Sequence, residues 1–471
     1  MSKAAIIQHR SPAKLNVLGA KRFATGFLFL LTAAIFATVT NGQTLEVLHS
    51  FHNFDGAKPR AELVQGTDGN FYGSTIAGAD YDYGTMFRVT PNGAMTTLVT
   101  FNGTNGRAPW SGLLQVSNGN FYGSTFYGGF NANGNVFQMT SNGSLTMLAS
   151  FTYGSSGSSP RGRLGRGRDG NFYGTTESGG ANGYGTVFRM TTNGTLTTLV
   201  AFNNANGNRP YGELVLGSNG VFYGTTVQGG GAYNSGTVFQ MTTNGLLTTL
   251  VSFNGNNGAY PQGTLVQARD GNFYGTTAAG GTNNRGTVFK MTTNGVLTTL
   301  ASFNNCNGST PVAGLIQASD GNFYGTAVSG GESSCPSGFQ GYGTVFRVTP
   351  GGVLSTVISF NSSNGVNPET RLVQGRDGNF YGTTFAGGSY NLGTVFRIVM
   401  PVSLSARQTG NQIIVSWSTN FATGFILQAT VDLTAPATWI DSTNLPAGVG
   451  DQVTVTNSLS GNAQFFRLRK P

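Results

Sequence analysis

The chain has 471 residues, 73 of them glycine and 9% of them charged, with a formal net charge of +9. Five of its 26 basic residues fall within residues 1–43, where there is no acid, so the rest of the chain carries 21 basic against 17 acidic groups, a net +4. So weak a field over so long a chain excludes nucleic-acid binding driven by bulk charge, and so much glycine excludes a helical protein.

At the N-terminus, Lys3, Arg10, Lys14, Lys21 and Arg22 precede an apolar run from Phe23 to Val39. A basic start, an apolar centre and a small-polar end predict a secretory signal over residues 1–43, cleaved between Ala37 and Gln43. The alternative is an uncleaved membrane anchor, for which this run is at the short limit. No Cys stands at the end of the run, which argues against a lipid-modified N-terminus.

From residue 44 onward the chain is periodic. Asn-Phe-Tyr-Gly, with Val221 replacing Asn in the fourth copy, recurs around Tyr72, Tyr122, Tyr173, Tyr223, Tyr274, Tyr324 and Tyr381. A period near 50 residues marks a repeat architecture. Within one repeat, Leu265–Gln267, Asn272–Thr277, Thr287–Met291 and Leu297–Phe303 read as four short strands, separated by Asp270-Gly271, a glycine-rich loop and Asn294-Gly295. Four antiparallel strands per repeat predict a β-propeller blade. Phe273 and Tyr274 are adjacent, so they point to opposite faces, one toward each neighbouring blade.

The ends of the repeat region argue for a ring. Thr44–Phe51 aligns with a fourth strand that lacks the preceding three, whereas the last repeat, Arg371–Val399, lacks its fourth. Joined, they complete a seventh blade and cover two open edges. The expected fold is therefore all-β, a seven-bladed propeller over residues 44–401 closed by its N-terminal strand.

Residues present in every repeat serve packing; function belongs where repeats differ. A proline opens each first strand: Pro59, Pro109, Pro160, Pro210, Pro261, Pro311 and Pro368. The residue after it varies: Arg60, Trp110, Arg161, Tyr211, Gln262, Val312 and Glu369. The innermost strand places this position near the channel mouth, so Arg60, Trp110, Arg161, Tyr211 and Glu369 are the candidate ligand-binding residues. Trp and Tyr are suited to stack on a sugar ring, and Arg and Glu to bind hydroxyls or charge. Drift at an exposed position explains the variation equally well. A second ring on the same strands, Gln65, Gln115, Arg166, Leu216, Gln267, Gln317 and Gln374, is a candidate channel lining.

Catalytic signals are weak. Beyond the leader the only histidines are His49 and His52. Asp68, Asp169, Asp270, Asp320 and Asp377 each precede a glycine, and Asn118 and Asn219 replace them in two repeats. These read as turn residues suited to positive φ, not metal ligands. No catalytic residue, metal or cofactor is expected. A convergent cluster of acids or histidines at the mouth would favour an enzyme, and the repeat positions reveal none. Cys306 and Cys335 lie in loops expected on one face, and an exported chain retains such a disulfide.

After Pro401 the period stops. Short alternating segments such as Gln412–Trp417, Gly424–Gln428, Gln452–Val455 and Phe465–Leu468 predict a small β-sandwich over residues 402–471, with Trp417 and Trp439 in its core.

The phrase Asp-Gly-Asn-Phe-Tyr-Gly-Thr-Thr, followed by Gly-Gly and Gly-Thr-Val-Phe, resembles the GloVer tandem-repeat family of bacterial exported proteins over residues 44–400. The resemblance implies a surface or secreted repeat protein with an interchangeable C-terminal anchor, and it supplies no catalytic residues. This chain departs from the anchored members by ending in Gln464–Pro471, without a terminal apolar span. Residues 402–471 look like a fibronectin type III or immunoglobulin-like module. The expected function is an exported binding or scaffold protein whose partner is an extracellular glycan or surface protein. The alternative is an extracellular glycan-active hydrolase or lyase using the same mouth.

Overall fold

The computed structural model describes residues 7–10, 43–331, 341–401, 405–410, 412–418, 426–430, 438–444, 446–449, 452–458 and 463–469. It is all-β, with no helix among the described residues and none long and apolar enough to cross a membrane. Cys335 lies outside the described residues, as does most of the predicted leader.

Among the described residues of 44–399 there are seven antiparallel sheets that share one four-strand pattern, two of them with a short additional strand. In the fifth, Val266–Gln267 pairs with Phe273–Thr277, which pairs with Thr287–Met291, which pairs with Leu297–Ser302, all antiparallel. The phrase Phe-Tyr-Gly has a physical reason for each letter. Tyr274 lies against Phe323 of the next sheet with ring centroids 4.0 Å apart, and Phe273 against Tyr223 of the preceding one at 4.0 Å. Gly275 sits opposite Phe289, and a Cβ there would lie 2.6 Å from the Phe289 ring. The same contact recurs at Gly73 and Phe87, so glycine is what lets the third-strand ring lie across the second strand.

One sheet joins the two ends of the repeat region. Thr44–Ser50 pairs with Thr394–Val399, with Thr44 opposite Val399 and Ser50 opposite Thr394. Phe51, Leu63, Phe71, Phe87, Tyr381 and Val395 bury into one cluster shared by the first and last repeats. Here the chain departs from its own repeat. His49 stands where the first repeat has Val99, and its Nε2 lies 2.6 Å from Oδ2 of Asp55, which is buried. The backbone N–H of His52 donates to the other Asp55 oxygen at 3.1 Å.

The first strand is broken where the candidate residues lie. The residue before each proline, from Lys58 (φ 57°) to Asn367 (φ 54°), is left-handed although none is glycine. Each of these residues donates its N–H to a carbonyl in the preceding repeat, as Lys58 does to Leu392 at 2.8 Å and Thr310 to Arg285 at 2.9 Å. Proline then removes the next donor. The chain leaves the ladder until Val64–Gln65 and its equivalents.

The described residues from 405 onward, with Ile7–Arg10, belong to a second compact unit. Among the described residues it has two four-stranded sheets, Ser405–Thr409, Gln412–Ser418, Gln452–Ser458, Ala447–Val449 and Ile7–Arg10, Ala463–Arg469, Ile426–Thr430, Ile440–Asp441. Ile413, Val415, Trp417, Leu427, Val455, Phe466 and Leu468 form its core. Trp439 is not in that core; it is half-buried, with the Arg467 guanidinium 4.3 Å over its ring. Ile7–Arg10, read from sequence as part of a leader, pairs here with Ala463–Arg469.

Candidate functional site

The residues that follow the seven prolines all line one cavity of about 380 Å³. This lies within the ~300–1,000 Å³ range of small-molecule sites. Residues one and three positions after each proline share a face of the extended segment, and both sets line the same space. The second set, Glu62, Gly112, Arg163, Glu213, Thr264, Gly314 and Arg371, was missed from the sequence. The available signal was the two-residue alternation of an extended segment, counted onward from the proline.

Arg60 and Glu369, from the first and last repeats, form an ion pair at 2.5 Å. The Arg60 guanidinium lies 4.6 Å over the Trp110 ring and 5.1 Å over Phe385. Arg161 is held between two rings, 4.4 Å from Trp110 and 3.9 Å from Tyr211. Burial lowers its pKa, against the raising pull of Tyr211 and Glu177. The Tyr211 hydroxyl donates to Glu177 Oε1 at 3.0 Å, and Arg209 donates to the same oxygen at 2.8 Å. Phe126 stacks on Trp110 at 4.6 Å. Protein groups already engage both rings, which act as clamps for the arginines.

Deeper in the first strands, Arg163 Nη1 lies 3.3 Å from Glu62 Oε1 and 3.9 Å from Glu213 Oε2. Burial pushes the Glu213 carboxyl up to about 7, with the Glu62 charge adding to the rise and Arg163 and Arg371 opposing it. Glu62, Glu213 and Glu369 thus bring three acids to one cavity. The convergent acids that the repeat positions did not reveal are present, because they come from different offsets in different repeats.

The glutamine ring is not part of this site; none of its seven positions lines the cavity. Each glutamine is a turn clamp instead. Gln317 accepts the backbone N–H of Arg269 in the preceding repeat at 2.9 Å and donates to the Gly321 carbonyl of its own turn at 3.1 Å. Gln115 does the same with Thr67 and Gly119.

The turn aspartates are structural, with one correction. Positive φ falls on the glycine that follows, as at Gly69 (85°), and not on the Asp. Asp68 accepts from the Asn70 N–H and from the Tyr72 hydroxyl at 2.8 Å. At Asp270, burial favours the neutral form, but hydrogen bonds from Asn272, Lys290 and Tyr274 outweigh it and hold the carboxyl at about 2. Among the described residues there is no group of His, Cys, Asp and Glu able to hold a metal ion.

Several known proteins bear comparison. The chain is similar to the extracellular domain of a protein described as a hybrid two-component system from B. thetaiotaomicron, at 11% identity and TM-score 0.49; the match covers 91% of this chain but only 55% of that one. It is similar to a gluconolactonase from Xanthomonas campestris, at 11% identity and TM-score 0.40, over 76% of this chain and 90% of that one. A lectin from Burkholderia pseudomallei gives 11% identity and TM-score 0.46, over 83% and 97%. None of these likenesses carries an activity to this chain, and no curated protein matches it in sequence. Residues 31–230 and 218–420 match the model of the Gloeobacter/Verrucomicrobia repeat. The chain belongs to the Gloeobacter/Verrucomicrobia repeat family.

Proposed function

We propose that this is an exported bacterial binding protein, with residues 44–401 closed into a seven-bladed propeller that holds an extracellular glycan in the cavity. Residues 402–471 are a fibronectin type III or immunoglobulin-like module in this reading. The observation that carries it is the convergence of all seven post-proline residues on one space. The repeats disagree at these positions, and such variation brought together in one cavity is what selection for a ligand would leave on a repeated scaffold. Arg60, Trp110, Arg161, Tyr211 and Glu369 are its binding residues. A glycan-array screen tests the reading. A hit should be lost in Arg60→Ala and kept in a Trp417 or Trp439 variant that still folds; the reverse pattern makes the C-terminal module the binder.

Export itself is tested by N-terminal sequencing of secreted protein, which should begin between residues 38 and 44. Intact residues 7–10 in that protein would instead make their strand a permanent part of the second unit. Non-reducing peptide mapping should find Cys306 linked to Cys335.

A second reading, an extracellular hydrolase or lyase acting on glycans, is favoured by one observation. Glu62 and Glu213 flank Arg163, and Glu213 titrates near neutrality at about 7. Such a carboxyl is poised as a general acid. Turnover of a polysaccharide that is abolished by Glu213→Gln while binding persists would establish this reading.

A further inference from the structure

The two walls of the cavity differ. Its charged groups come from the first, third, fourth and seventh repeats, whereas the fifth and sixth offer Gln262, Thr264, Val312 and small residues. Four guanidiniums face three carboxylates. Arg60 is paired with Glu369, and Arg163 sits between Glu62 and Glu213. Arg161 leans on Glu177, which it shares with Arg209 just beyond the lining; counting that extra pair leaves the excess at one positive charge. Arg371 is the lining guanidinium without an ion pair, although its charge still acts on Glu213 from beyond ion-pair distance. Its Nε donates to the Leu315 carbonyl at 3.1 Å, and it makes no ion pair among the described residues.

We propose that the ligand is a sugar-sized hydroxylated monocarboxylate, with its carboxylate on Arg371 and its hydroxyls toward the uncharged wall. The inference rests on the cavity being the binding site. A neutral sugar would leave a cation uncompensated in a partly desolvated space. A phosphate monoester, at about −2, overcompensates a single excess charge. A carboxylate matches it in charge and in the fork geometry of a guanidinium. With Trp110 and Tyr211 already engaged by Arg60 and Arg161, recognition falls to charge and hydrogen bonds and not to ring stacking.

The test is calorimetric titration of the exported protein at about pH 8 with glucuronate, glucose and glucose 6-phosphate. Glucuronate should bind at least about tenfold more tightly than either of the others, and Arg371→Gln should weaken it at least about tenfold. Thermal melting controls for folding. If Arg371→Gln does not fold, Glu62→Gln carries the test: by raising the positive excess of the cavity it should tighten glucuronate relative to glucose, and an unchanged ratio overturns the proposal. Equal binding of glucose and glucuronate, lost in Arg60→Ala, overturns the monocarboxylate and leaves the cavity reading standing. Tighter binding of glucose 6-phosphate also overturns the monocarboxylate. Failure of all three sugars to bind overturns it too, and the glycan array then decides whether the cavity reading falls with it.

Discussion

The two ends of each inner strand follow opposite rules. At one end, glutamine recurs in five of the seven repeats, as Gln65, Gln115, Gln267, Gln317 and Gln374, and is consumed by backbone hydrogen bonds within and between repeats. At the other, one and three residues after the proline, identity changes from repeat to repeat, and the side chains meet one another across a cavity. The uniform end answers a demand that every repeat makes: each turn must be tied to its neighbour. The variable end answers no demand that every repeat makes; in the proposed function its demand is made once, by the ligand. On a repeat scaffold, uniformity marks architecture and disagreement marks the site.

The largest test breaks the architectural side. Removing residues 44–51 exposes the edge at Thr394–Val399 and takes Phe51 out of the cluster joining the first and last repeats. Phe51→Ala alone should cost about 3–5 kcal/mol, and the deletion more. A truncated protein that melts like the intact one would refute closure of the ring.

A somewhat smaller effect sharpens the variable side. Glu213 is raised to about 7 from an ordinary value of 4.5, so the folded state holds its proton more tightly than the unfolded chain. Stability should therefore be highest below about pH 4.5 for this group and fall by roughly 3 kcal/mol as pH rises through 7. Glu213→Gln should flatten that slope. Asp55 acts with the opposite sign. Burial would raise its carboxyl, but hydrogen bonds from His49 and His52 hold it below 3.8, so its contribution is lost as pH falls through the acid range. Urea melts between pH 3 and 8, with and without Glu213→Gln, separate the two.

Smaller still is the uniform end. Gln317→Ala removes two hydrogen bonds to backbone and should cost about 1 kcal/mol while leaving ligand affinity unchanged. A change in affinity without a change in stability would put the glutamine ring back into the site. The smallest effect is at the turns. Asp68→Asn should shift stability by less than about 1 kcal/mol, because Asn219 occupies the equivalent place and still meets the tyrosine hydroxyl, at 2.9 Å.

Much of the molecule follows from local sequence. The spacing of Tyr72 to Tyr381, the Asp-Gly and Asn-Gly turns and the alternation of Phe and Tyr determine the strands, their order and the faces they bury, since these depend on backbone propensity and a period of two. The orphan strand Thr44–Phe51 was legible because a repeat lacking three strands at one end and one at the other has a single economical pairing. Five members of the candidate site were legible because they stand next to an unmistakable proline. Glu62, Arg163, Glu213 and Arg371 were not, because no turn signal marks them.

Only the tertiary structure decided which of the variable residues meet. Arg60 and Glu369 are 309 positions apart, and Arg163 and Glu62 are 101 apart. No local propensity relates them; they become neighbours because stacked Phe–Tyr pairs bring the inner strands around a common space. The titration of Glu213 near neutrality, the capture of Arg161 between Trp110 and Tyr211 and the positive excess of the cavity arise from desolvation and from charges brought close together. Both are properties of an assembled cavity, and a linear pattern of residues does not contain them.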